Sequence, residues 1–317
     1  MQKIAVLCLD ETDRKGWDEA FRGIPHVMTV TAENGLTRAL DSIRAIGEDL
    51  RVAVISSLLY PYPHPGLVGL LRELNPDLEV LLISREACAP PLKPLIEDRI
   101  RHLCIMPGQA GVNEACLSAV IDMLLKQRGW DISCCLKEGT VLHSYRLSSS
   151  DEKEDLIAKL EELLDGEGEE MELLRQKGAL LADELLENAM YDAPRSGCGD
   201  RLFSKGQRRS MLPREDIVFS FGFDGETLSL ALTDNWGSLD PDEVLEYLTR
   251  NEEETLDCGD PGGRGLFIVW RFLDRFHVAV TPGHSTRVGG NLHLKSTLPP
   301  EAPRGFHIMN RCEEVAA

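Results

Sequence analysis

The first ~127 residues alternate short apolar runs with helix-period segments, and that alternation limits the fold more than any other feature of the chain. The runs fall at residues 4–9, 27–30, 52–55, 78–83 and 102–105. Between and after them lie segments of helical period around 17–21, 36–46, 67–74, 91–96 and 114–125. Five βα units in succession predict a parallel sheet with helices on both faces. The handed crossover rule then favours a flavodoxin-like doubly wound arrangement, whose sites lie at the carboxyl ends of the strands.

Those strand ends carry Asp10 and Glu11 after the first run, Ser57 after the third, Ser84 after the fourth, and Met106 with Pro107 after the fifth. This order resembles the receiver domain of two-component signalling. The resemblance implies an acidic pair at Asp10 and Glu11, a phosphoacceptor carboxylate at position 57 and a lysine at position 106. Here those last two places hold Ser57 and Met106. Without the carboxylate no acyl phosphate forms, and without the lysine a phosphoryl group has no fixed counterion. The resemblance is therefore to a pseudo-receiver, a docking or dimerising module; the other reading is a flavodoxin-like domain with no such kinship.

A chain of 317 residues with 43% hydrophobic content suits two domains with a core in each. The expected division is a pseudo-receiver over 1–127, a connector over 128–138, a second domain over 139–300 and a polar tail over 301–317. The formal charge of −19 disfavours nucleic acid and anionic membranes as main partners, because phosphate neutralisation needs Lys and Arg. No apolar run reaches the length of a membrane span, and the chain opens directly into a strand-like run without a signal sequence, so a cytoplasmic protein is expected. Nine scattered cysteines with no CxxC spacing read as reduced thiols.

In the second half, residues 181–194 read as an amphipathic helix ended by Pro194. Glu184 and Asn188 stand at i and i+4 and leave it on one face, beside an apolar stripe of Leu185, Leu186, Ala189 and Met190. A basic run from Arg201 to Arg209 reads as a solvated loop, with phosphate as the other option. Two strands flank the turn Asp224-Gly225-Glu226. The second runs into Asp234-Asn235-Trp236-Gly237-Ser238. After an acidic segment comes Gly262-Gly263-Arg264-Gly265-Leu266, which opens another helix. Two closing strands are expected, at 277–281 and 286–298, the latter interrupted at Gly289-Gly290.

The order Glu184-x-x-x-Asn188, then Asp234 at a strand end, then a glycine-rich turn before a helix resembles the GHKL family of ATP-binding domains. Gyrases and histidine kinases belong to it, and the likeness is closest to the anti-sigma-factor serine kinases. The resemblance implies an α+β sandwich that binds ATP with Mg²⁺. Asn188 would hold the metal and Glu184 would act as catalytic base. Asp234 would accept from the adenine amino group, and Thr286 would assist it. Gly237, Gly263, Arg264, Gly265 and Leu266 would complete the nucleotide site, with phosphate at the helix N-terminus. The segment from 240 to 262 would be a lid. Trp236 and Ser238 replace motif glycines, and Asp192 stands where those kinases usually carry His.

The expected function is a signalling protein that phosphorylates Ser or Thr on a partner protein. The alternatives are a non-catalytic ATP-gated interaction module and the ATP-binding part of a histidine kinase system. A homodimer is allowed. His143, the sole His of the connecting region, falls in an expected strand, which disfavours autophosphorylation on His.

Overall fold

The computed structural model describes residues 2–84, 91–106, 112–127, 129–248, 264–296 and 304–310. The chain divides into two compact units, Met1–Arg128 and Gly129–Ala317.

The first unit contains β1 (Lys3–Cys8), α1 (Glu11–Ala20), β2 (Val27–Thr31), α2 (Leu36–Arg44), β3 (Leu50–Ser56), α3 (Leu67–Leu74), β4 (Glu79–Ser84), α4 (Leu92–Glu97), β5 (His102–Ile105) and α5 (Val112–Lys126). Its strands are all parallel, in the order β2-β1-β3-β4-β5. Strand order reverses between β1 and β3, so right-handed crossovers put α1 on the opposite face from α2, α3 and α4. Burial follows: Ile4, Val6, Val52, Val54, Leu81 and Leu103 are buried, as strands covered on both faces require. The mixed α/β class with a parallel sheet is thus the one the alternation predicts.

The second unit contains β6 (His143–Arg146), α6 (Lys153–Leu163), α7 (Glu169–Glu187), β7 (Ile217–Phe223), β8 (Thr227–Asp234), α8 (Pro241–Tyr247), α9 (Arg264–Phe272), β9 (Arg275–Thr281), β10 (Ser285–His293) and β11 (Gly305–Asn310). Neighbouring strands pair in the order β11-β9-β10-β8-β7-β6; β11 runs parallel to β9 and the other pairs are antiparallel. Two-residue periodicity sorts β8 between two layers. Leu228 meets the helices: a Cβ added at Gly178 of α7 would lie 3.1 Å from Leu228 Cδ2 and 3.2 Å from Leu164 Cδ1. Ser229, on the other face, donates to the carbonyl of Ile132 in the connector at 2.8 Å.

Several boundaries differ from those read in the sequence. The final helix ends at Phe272 rather than near Phe276, and β9 begins at Arg275. β10 passes through Gly289-Gly290 without interruption, because a side chain at either place would strike neighbouring backbone. The tail expected over 301–317 holds β11 instead. Its Phe306, Ile308 and Met309 are buried, and β9 offers the edge that their backbone pairs with. His143 lies in β6, stacked near Phe221 with ring centroids 5.6 Å apart.

Candidate functional site

Asp234 ends β8 on the face that carries Leu228 and Leu232, so the pleat turns it toward the helices rather than the connector. Antiparallel register sets Thr286 of β10 directly opposite it, and Val288 opposite Leu232. α7 closes the space from above. Its Glu184–Asn188 spacing keeps those two side chains on one face, and the helix then passes into a π-helical turn over Asn188–Asp192. That turn, a frequent mark of functional sites, ends with Ala193 N–H donating to the carbonyl of Asn188 at 2.8 Å.

Between these walls lies an open cleft of about 720 Å³, mouth included. Asp234, Thr286, Leu232 and Val288 form its floor. Leu185 lines it from α7, Asn188, Ala189 and Asp192 from the π-helical turn that follows, Leu266 from α9, and Glu243 and Tyr247 from α8. Arg195 and Arg201 reach it from the loop before β7.

Asp234 is 5% exposed. Burial pushes its carboxyl up to about 6, against the opposing pull of N–H groups from Trp236 and Gly237. The Trp236 bond is 2.8 Å. Asn188 Nδ2 is buried and has no hydrogen-bond partner among the described residues. Gly265 meets both α7 side chains: a Cβ there would lie 2.7 Å from Glu184 Oε2 and 2.9 Å from Asn188 Nδ2. Glu184, Asn188, Gly265, Leu266, Asp234 and Thr286, drawn from four separate segments, thus gather at one end of the sheet. Gly263 lies outside the described residues, as do the side chain of Arg264 and most of the expected lid.

Gly237 takes no visible part in lining the cleft; it locks the turn below it. Its φ is +57°, and a Cβ would lie 2.3 Å from the carbonyl oxygen of Thr281. Trp236 does not line the cleft either. Its indole N–H donates to Glu215 Oε1 at 3.2 Å, and Glu215 is bound by Arg209 through bonds of 2.6 and 2.7 Å. Burial raises the carboxyl of Glu215, but the Arg209 guanidinium and neighbouring N–H donors outweigh it and hold the group below its usual range. So Arg209, at the end of the basic run, is a buried structural cation. Arg208 pairs with Asp151, and only Arg201 of that run's arginines reaches the cleft.

The strand ends of the first unit are differently committed. Asp10 caps α1, accepting from the N–H groups of Thr12 and Asp13 at 2.8 Å each, and Glu11 pairs with Arg14 at 2.9 Å. Ser57 N–H donates to the carbonyl of Ile83 at 2.8 Å, and Met106 N–H to that of Ser84 at 2.7 Å. Met106 and Ser84 are buried. No cluster of three or more His, Cys, Asp or Glu that could hold a metal exists among the described residues.

No family model matches the chain, and no curated protein matches it. Among solved structures it is similar to the BeF3-activated receiver domain of DrrB, at 18% identity over 40% of this chain and 98% of that one, with a TM-score of 0.30. It is also similar to the response regulator DrrB of Thermotoga maritima, at 20% identity over 41% and 57% of the two chains, TM-score 0.29. A third is a LuxR family DNA-binding response regulator from Silicibacter pomeroyi, at 19% identity over 40% and 93%, TM-score 0.29. Likenesses at that level assign no role to any residue. The parallel order β2-β1-β3-β4-β5 stands on the strand pairing alone.

Proposed function

We propose that the second unit is a GHKL-type ATP-binding domain that transfers a phosphoryl group from ATP to a serine or threonine hydroxyl of a partner protein. The observation that carries this reading is a buried carboxylate, Asp234, at the floor of a cleft whose opposite wall holds Asn188. The Trp236 N–H already meets one Asp234 oxygen, yet burial still holds the carboxyl above its ordinary value, and a further donor would stabilise it. The amino group of adenine is such a donor, flat enough to lie between Leu232 and Val288 below and Ala189 above.

The chemistry of the other end fits a magnesium-bound polyphosphate. A carboxamide oxygen is a hard donor, and Asn188 has an unmet hydrogen-bonding group on the same side chain. Asn188 would be the protein's ligand to the ion, with phosphate and water completing the shell. Bound there, magnesium would supply neutralisation of the charge that builds up on phosphate oxygens. Gly265, with no side chain, leaves Glu184 and Asn188 room to stand together. Glu184, one turn before Asn188, would accept the proton of the attacking hydroxyl. The rim of Leu185, Leu266 and Tyr247 would exclude water from the base.

For the first unit we read a pseudo-receiver that docks the partner. Ser57 cannot form an acyl phosphate, and the buried Met106 supplies no counterion. The test is incubation of wild type and Glu184→Ala with labelled ATP and Mg²⁺. Turnover or label transfer in the wild type alone supports a kinase. Binding by both, with equal and negligible turnover, leaves an ATP-gated interaction module and removes the catalytic role.

A further inference from the structure

The basic run from Arg201 to Arg209 reads in the sequence as a solvated loop or a phosphate contact, and the loop that leads into it brings Arg195 and Arg201 to the cleft. Residues 194–202 fold back on themselves. Leu202 N–H donates to the carbonyl of Pro194 at 3.0 Å, Ser196 N–H to that of Asp200 at 2.8 Å, and Arg195 bridges Arg201. Both arginines line the cleft. Asp192 fixes them. Arg195 Nε donates to its carbonyl at 2.9 Å, and Arg195 Nη1 to the carbonyl of Gly199 at 3.0 Å. Arg201 Nε lies 2.9 Å from Asp192 Oδ1, and Lys205 Nζ 3.2 Å from Oδ2.

This carboxylate ends the π-helical turn that Asn188 begins. It therefore brings cations to the side of the cleft next to Asn188. Asp192 is the carboxylate that pairs with Arg201 and Lys205, whereas Asp234 and Glu243 enter the lining from β8 and α8. Two guanidinium groups on one side of the cleft favour an anionic part of a ligand there. Guanidinium groups already oriented by other bonds lose little entropy on gripping phosphate.

The geometry points to Arg195 and Arg201, held by Asp192, as binding residues for the polyphosphate chain of the nucleotide. This assignment rests on the reading of the cleft as a nucleotide site. It also gives Asp192 a role: it positions Arg201 rather than touching the ligand.

Equilibrium titrations of the full chain in Mg²⁺ buffer, with ATP, ADP and adenosine, test the assignment. Arg195→Ala/Arg201→Ala should weaken ATP and ADP by about tenfold or more and leave adenosine within about twofold, as loss of charge-assisted bonds requires. Arg201→Lys, which keeps the charge and alters the fork, should fall between. Equal loss for adenosine and ATP, or no loss for either, overturns it. A wild type that binds ATP, with affinity unmoved by the double variant, sinks this assignment and spares the nucleotide reading. A wild type that binds none of the three ligands sinks both.

Discussion

Asp234 and Thr286 face each other across β8 and β10, and burial holds the Asp234 carboxyl at about 6. The pair sets a pH signature. The folded value lies above the ordinary 3.8, so the folded state binds the proton more tightly than the unfolded chain. The resulting stability is fully present below about pH 4 and is lost as pH rises through 6. A shift of roughly two units corresponds to about 3 kcal/mol. Urea unfolding of wild type and Asp234→Asn should therefore diverge: the variant gains up to about 3 kcal/mol relative to wild type between pH 4 and pH 8. A constant difference across that range contradicts the burial argument.

Gly265→Ala tests the convergence of α7 and α9. The added methyl would sit 2.7 Å from Glu184 Oε2 and 3.0 Å from Asn188 Oδ1, so both side chains must move. Side chains at a half-exposed cleft can yield where a core cannot. ATP affinity should fall by about tenfold or more, for about 1.4 kcal/mol of lost binding, with little change in thermal midpoint. Unchanged affinity would mean that Glu184 and Asn188 do not meet the ligand.

Arg209 and Glu215 form a pair with side chains only 4% and 0% exposed. Removing one partner strands the other, so Arg209→Ala should cost about 3–5 kcal/mol in unfolding titrations. Arg209→Met with Glu215→Leu should cost much less. Trp236→Phe, which loses one bond to Glu215, should cost about 1 kcal/mol. If Trp236→Phe instead abolished ATP binding without destabilising the fold, the tryptophan would belong to the ligand site after all.

The first unit should be inert to small-molecule phosphodonors. Acetyl phosphate with Mg²⁺ should leave its mass unchanged. A phosphoryl adduct at Ser57 would contradict the pseudo-receiver reading.

How much of this was legible in the chain depended on the range of the interactions. The parallel unit was readable because each of its strands is a continuous apolar run between helix-period segments. Glu184 and Asn188 could be paired from spacing alone, since helical neighbours are fixed locally. The opposition of Asp234 and Thr286 was not: register across β8 and β10 depends on every residue between them. Trp236 stood in place of a motif glycine with no role fixed, because its partner, Glu215, lies 21 residues away in sequence. Arg201 belonged to a basic run for which solvent and phosphate both stood open, and Arg195 carried no signal; Asp192 orders both, at the end of a π-helical turn that no periodicity signals. β11 was missed because its few apolar residues sit among proline and charge, and only the edge of β9 makes a strand of them.

If the cleft over Asp234 holds ATP, its base lies toward Asp234 and its phosphates toward Asn188. A structure of the full chain with Mg²⁺ and a non-hydrolysable ATP analogue decides this. The adenine amino group should lie within hydrogen-bond distance of Asp234 and the metal on the Asn188 carboxamide oxygen. An analogue bound elsewhere, or with its base away from Asp234, would contradict it.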